Sequence, residues 1–166
     1  MRGSVSIVGA SLAGYWAAET LRRDGFEGRI SLIGDEPHAP YDRPPLSKKF
    51  LAGDLYDDRL PLTTAEKLAD LGLEMRLGCQ ATGLDVATRT LEVDGVAEPY
   101  DGLLIATGAR CRNLPGTAGL AGVHTLRTRD DAEAIRDALA NGARRVVVVG
   151  AGFIGAEVAS TAIGRG

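Results

Sequence analysis

The sequence predicts an α/β chain built around a parallel sheet, and three features carry that prediction. A strand–glycine-turn–helix unit starts at residue 5 and recurs at residue 146. Short runs rich in valine, isoleucine and leucine alternate with helix-length segments, the pattern of strands buried on both faces. Residues 80–99 alternate apolar and polar between turn signals, as a small antiparallel meander does.

Taken in order, residues 4–8 (SVSIV) read as a buried strand. Gly9-Ala10-Ser11-Leu12-Ala13-Gly14 then opens a helix to about Arg23, with Gly25 just past its end as a C-cap. Residues 29–33 (RISLI) form the next strand, which completes a parallel, right-handed unit. Four prolines between Pro37 and Pro45 rule out a helix or an inner strand, so this stretch is a stiff loop. Ser47 is placed to cap a short helix ending near Gly53. Thr63-x-x-Glu66 has the form of a capping box for a helix over about 64–71. A strand at 73–77 follows, then the meander with turns at Ala87-Thr88 and Asp94-Gly95, then a buried strand at 102–106 closed by Thr107-Gly108. Residues 109–122 form an irregular connector. Asp130–Ala140 is a helix capped by Thr128 or Asp130 and stopped by Asn141-Gly142. Residues 144–149 (RRVVVV) read as a buried strand, and Gly150-Ala151-Gly152-Phe153-Ile154-Gly155 opens a last helix.

Composition narrows the function classes. The chain has 166 residues, 45% hydrophobic and 25% charged, which is ordinary globular usage. A net charge of −3 offers no basic excess for a nucleic-acid backbone. Two cysteines, Cys79 and Cys111, make neither a disulfide framework nor a zinc spacing, and two histidines, His38 and His124, make a metal site implausible. A reduced, cytoplasmic compartment is expected. The longest apolar run, Val146–Ala156, is too short to span a bilayer, so no membrane is expected. Arg2 with the Val5–Ala13 run imitates a signal peptide, but a first strand opening into a glycine turn accounts for the same residues better.

The glycine loops carry the chemistry. Gly150-x-Gly152-x-x-Gly155 matches a dinucleotide fingerprint: a tight turn, close backbone approach to a pyrophosphate, and close helix–strand packing. The helix N-terminus adds N–H groups and partial positive charge. Gly9-x-Ser11-x-x-Gly14 departs at its second position, where the serine hydroxyl can donate to a phosphate oxygen. Asp35, with Glu36 as second choice, stands after the second strand where a carboxylate accepts from both hydroxyls of a ribose. Two such loops suggest two dinucleotides, and a flavin with a nicotinamide is a natural pair.

The run Tyr41-Asp42-Arg43-Pro44-Pro45-Leu46-Ser47-Lys48, the Ala106-Thr107-Gly108 turn, His124-Thr125-Leu126-Arg127-Thr128 and the second loop with Glu157 occur in this order. Together they resemble the FAD-dependent NADH–ferredoxin reductases, the electron-input components of bacterial oxygenase and cytochrome monooxygenase systems. The resemblance runs over the whole chain. It implies a Rossmann-like FAD-binding domain over 1–113, containing the meander, and the start of a Rossmann-like NAD-binding domain over 114–166. It implies that the chain corresponds to the first part of a reductase more than twice its length. The implied cofactors are FAD and NAD(H), and the implied partner is a ferredoxin or rubredoxin-type electron acceptor. Gly9, Ala10, Ser11 and Gly14 would hold the FAD pyrophosphate, and Asp35 or Glu36 the adenosine ribose. Arg43 would reach the phosphate or ribityl region, Lys48 the flavin N5, and Ala81 the adenine through its backbone. Thr107, Gly108 and Arg127 would border the flavin. Gly150, Gly152, Phe153, Ile154 and Gly155 would form the NADH loop. Glu157 would lie at the nicotinamide–flavin junction, able to pair with Lys48. No general acid, base or nucleophile is expected. Two rivals stand beside this reading: a non-catalytic fragment with weak or no FAD binding, and a relative with a small-molecule acceptor. The absence of a CxxC or CxxxxC pair speaks against the disulfide-reductase branch.

Overall fold

A computed structural model describes residues 3–55, 59–142 and 145–165. Arg2, Arg144 and Gly166, which end three of the predicted runs, lie outside these residues. The chain forms two compact units, Met1–Asp42 with Pro61–Gly108, and Arg43–Leu60 with Ala109–Gly166.

The first unit is organised by a four-stranded parallel sheet. Its strands are β1 (Ser4–Val8), β2 (Arg29–Gly34), β3 (Glu74–Leu77) and β7 (Gly102–Ile105), in the order β3-β2-β1-β7. A three-stranded antiparallel sheet, β4 (Ala81–Asp85), β5 (Thr90–Val93) and β6 (Val96–Pro99), is the expected meander. Successive side chains on a strand point to opposite faces, and the cores follow that alternation. Ile7, Ile30 and Leu32 pack with Ala18 of helix α1 (Leu12–Arg23) on one face. Val8 and Ile33 cluster with Leu91 and Val93 of the meander. Each large apolar side chain so buried contributes about 2 kcal/mol. Arg22 ties the end of α1 down: its guanidinium donates to the carbonyls of Leu71, Phe26, Gly28 and Gly72.

Helix α3 (Ala65–Asp70) starts one residue later than the Thr63-x-x-Glu66 pattern requires. Thr64 is the N-cap and accepts from the Lys67 amide at 3.3 Å, while the Thr63 hydroxyl is buried without a hydrogen-bond partner. Two adjacent threonines offer the same cap, and the chain takes the one whose backbone is extended at the helix start.

The second unit contains a 3-10 turn at Pro44–Ser47, the short helix α2 (Lys49–Ala52), α4 (Arg129–Ala140) and α5 (Phe153–Gly164). Leu46, Phe50, Leu51 and Leu60 are buried. The Arg136 guanidinium lies 5.0 Å from the centre of the Phe50 ring, and Arg165 donates to the carbonyls of Leu51 and Ala52. Thr128 caps α4 in a full capping box with Asp131, as one of the two expected caps.

Two expectations fail here. Ser47 does not cap α2; the N-cap position is Lys48, with no side-chain cap. The 144–149 run is not a buried strand over its described part: residues 145–150 have no ladder, and Val147 and Val149 are 78% and 74% exposed. β-propensity cannot make a strand without a neighbour to accept its hydrogen bonds, and none pairs with it among the described residues. No helix among the described residues is long and apolar enough to cross a membrane.

Candidate functional site

In the first unit the predicted residues gather at the carboxyl edge of the parallel sheet. Gly9, Ala10 and Ser11 follow β1, Asp35 and Glu36 follow β2, and Thr107 and Gly108 follow β7. Ligands of open α/β sheets bind at this edge, where neighbouring connections diverge. β1 has β2 on one side and β7 on the other, so its glycine loop sits at that divergence. The three segments touch. A Cβ on Gly9 would lie 2.1 Å from the Ala106 carbonyl oxygen, and one on Gly34 would lie 2.6 Å from the Ala10 Cβ.

The two glycine loops have one geometry. Gly9 has φ +119° and Gly150 has φ +115°, a region open to glycine and strained for other residues. A Cβ on Gly14 would stand 2.0 Å from the Gly9 carbonyl oxygen, and one on Gly155 would stand 2.3 Å from that of Gly150. The third glycine of each loop thus lets the helix close on its own turn. The second positions differ from these. Ser11 and Gly152 are the N-cap residues of α1 and α5, with φ −125° and −80°. Neither angle needs glycine, so Ser11 departs from the fingerprint without backbone cost. A Cβ on Gly152 would meet nothing within 4 Å. Among the described residues nothing demands glycine there; a ligand lying against the loop would. Neither helix carries an acidic residue in its first turn or a side-chain cap at its N-cap residue. The helix starts therefore suit an anion.

Around the first loop, Glu36 is held by Tyr41, whose buried hydroxyl donates to its Oε2 at 2.5 Å. Asp35 is exposed and Glu36 half-buried. Ala81 opens β4, and a register shift between Ala81 and Gly83 marks a bulge there.

In the second unit, Lys48 and Glu157 are brought together. Lys48 Nζ lies 2.9 Å from Glu157 Oε1, and the Ser47 hydroxyl donates to Oε2 at 2.5 Å. These hydrogen bonds, from Ser47 first and then Lys48, hold the Glu157 carboxyl below the usual carboxylate range. The pair borders a cleft of about 490 Å3 lined by Lys48, Lys49, Asp54, Phe153, Glu157 and Thr161. Phe153 is 92% exposed and Ile154 is also exposed. Arg43 donates to the Arg127 carbonyl oxygen at 2.8 Å, and the Arg127 amide donates to Asp131. Ser47 and Thr161 escaped the sequence reading as site residues. The only available signal was that Glu157 and Thr161 are four positions apart and so share a helix face.

The family pattern "Pyridine nucleotide-disulphide oxidoreductase" matches residues 3–166. The chain belongs to the pyridine nucleotide-disulphide oxidoreductase family. Within it, the chain is 46% identical over 164 residues to the biphenyl dioxygenase system ferredoxin–NAD(+) reductase component of Paraburkholderia xenovorans, covering 98% of the chain and 40% of that protein. Against rhodocoxin reductase of Rhodococcus erythropolis it is 44% identical, covering 98% of the chain and 38% of the relative. The crystal structure of the covalent putidaredoxin reductase–putidaredoxin complex superposes with a TM-score of 0.91 at 41% identity, over 99% of this chain and 40% of that one. The chain thus spans about 40% of the length of such family members.

Proposed function

We propose that this chain forms the FAD-binding part and the opening of the nicotinamide-binding part of an NADH–ferredoxin reductase, with the division near residues 113 and 114. The twin glycine loops are the observation that carries the reading. Two turns of closely similar φ, each closed by a glycine with no room for a Cβ, suit two dinucleotides. The fit is supported by Gly152, whose missing side chain answers to no neighbour among the described residues.

In this reading Gly9, Ala10, Ser11 and Gly14 hold the FAD pyrophosphate at the start of α1. Asp35 and Glu36 are the candidates for the adenosine ribose, with Glu36 oriented by Tyr41. Ala81, Thr107 and Gly108 line the same cofactor. Gly150, Gly152, Phe153, Ile154 and Gly155 receive the pyrophosphate of NAD(H) at the start of α5. Bound FAD and NAD(H) supply the hydride and single-electron chemistry. The residues position and tune, and no side chain exchanges a proton with a reacting atom. Lys48 keeps a cation at the cleft while Glu157 keeps it oriented. The acceptor is a ferredoxin-type iron–sulfur protein, as the names of the relatives suggest. A reducing, cytoplasmic setting suits two cysteines that form no disulfide.

The 145–150 run, without a strand partner among the described residues, favours a second reading, in which this chain alone holds a nicotinamide dinucleotide weakly or not at all. One experiment separates them. The purified chain is titrated with FAD, and its visible spectrum is followed on adding NADH. A flavin spectrum that bleaches with NADH supports the reductase reading. A bound flavin that NADH leaves oxidised favours the second reading, and a chain that retains no flavin once free FAD is removed overturns the reductase reading.

A further inference from the structure

Ser47 is a buried hydroxyl, 5% exposed, in a position where the local sequence calls for a helix cap. It does not cap. It reaches instead across 110 positions to Glu157 Oε2 at 2.5 Å. Its neighbour Lys48 takes the other oxygen, Oε1, at 2.9 Å. Consecutive residues thus grip both oxygens of one carboxylate. The grip is anchored a second time, because the Thr161 hydroxyl, one turn further along α5, donates to the Ser47 carbonyl oxygen at 3.0 Å.

The two donors are not equivalent. The Lys48 side chain is 49% exposed and also donates to the Pro44 carbonyl, so its ammonium can follow a moving carboxylate. A four-carbon stem defines distance poorly. Ser47 has one short side chain, closed in by its neighbours, with its backbone tied to the same helix that carries Glu157. Only it fixes the angle of the carboxylate. We propose that Ser47 is a positioning residue of the hydride-transfer site: it sets the orientation of Glu157, and through Glu157 that of Lys48, toward the cleft. This deepens the function proposed above and rests on it for the identity of the reaction.

The Glu157 carboxyl lies low in the presence of both donors, with Ser47 the larger cause. Among the described residues the other charged groups lining the cleft are Lys49 and Asp54, and neither Ser47→Ala nor Ser47→Thr alters them. The first test needs no cofactor. In the full chain with 13C-labelled glutamate, the Glu157 carboxyl is titrated by NMR in wild type, Ser47→Ala and Ser47→Thr, with far-UV circular dichroism as the check on folding. Ser47→Ala raises the midpoint toward the ordinary carboxylate range, and Ser47→Thr, which keeps the hydroxyl, restores it. Thr161→Val, which touches neither carboxylate oxygen, moves it in the direction of Ser47→Ala by less. A Glu157 midpoint indifferent to Ser47→Ala overturns the proposal. The second readout is NADH-driven bleaching of the FAD-loaded chain, expected to slow roughly tenfold in Ser47→Ala at unchanged FAD affinity, the size of one lost hydrogen bond to a charged group. An unchanged rate also overturns the proposal. A chain that never takes up FAD refutes the reductase reading alone, because the carboxyl titration still decides what Ser47 does.

Discussion

Replacing Gly14 and Gly152 by alanine should separate a glycine demanded by the fold from one reserved for a ligand. At Gly14 the new Cβ would stand 2.0 Å from the Gly9 carbonyl oxygen and 3.1 Å from Leu32 Cδ1. Ordinary contact begins near 3.4 Å, so the turn and helix must part by more than an ångström. The turn has little freedom to yield. The Gly9 amide donates to the Ile33 carbonyl at 2.7 Å, and its Cα faces the Ala106 carbonyl. Overpacking of this kind costs about 3 kcal/mol, which lowers Tm by about 9 °C in a chain of this size. At Gly152 the Cβ meets nothing within 4 Å and φ is −80°, so only about 0.5–1 kcal/mol of capping preference is lost. On the proposed reading its effect belongs to the ligand: NADH binding should weaken at least tenfold, because a methyl there would hinder the close approach of a pyrophosphate to the loop. Thermal unfolding and NADH titration of both variants give the comparison. A Gly14→Ala chain as stable as wild type, or a Gly152→Ala chain that binds NADH normally, refutes the reasoning.

Asp101 accepts from the Ser4 amide at 2.7 Å and from its hydroxyl, and these bonds, the amide first, hold its carboxyl below the usual range. Its contribution to stability is therefore complete above about pH 4 and is lost as the pH falls through the lowered value; Asp101→Asn should lower Tm at pH 7 and flatten the acid limb of the Tm–pH curve. Tyr41→Phe, which deletes the donor to Glu36 from a buried ring, should cost about 1 kcal/mol in chemical denaturation. Arg165→Ala frees the carbonyls of Leu51 and Ala52 and should speed amide exchange in α2 before exchange in α4. Of the two thiols, exposed Cys111 should be alkylated before Cys79, which packs against the Val8–Val93 cluster; mass spectrometry of a timed iodoacetamide reaction reads the order.

Much of the first unit was legible because its signals are local. SVSIV and RISLI announce strands through apolar and β-branched residues, and the meander shows itself through Asp94-Gly95 and period-two alternation. Both glycine loops were visible as spacing, and Asp35 and Glu36 were found at the end of β2 because that edge is where such ligands bind. The choice of Thr64 over Thr63 was not visible, since either hydroxyl can accept from an amide three residues on and spacing does not say which the fold leaves at the helix start. Residues 145–150 misled for the opposite reason: their strand preference is strong, but a ladder needs a second strand.

By itself the sequence determined the order of strands and helices, the places where backbone must bend without a side chain, and the family resemblance. Those depend on neighbours within a few residues, which the chain specifies directly. Only the tertiary structure decided that Ser11 can stand where a glycine was expected, because the angle there turned out ordinary. Only it paired Tyr41 with Glu36, and turned Ser47 away from the helix it precedes toward a carboxylate 110 positions distant. A hydroxyl bonds to whatever donor or acceptor the fold brings within 3 Å, and that is a property of packing rather than of spacing along the chain.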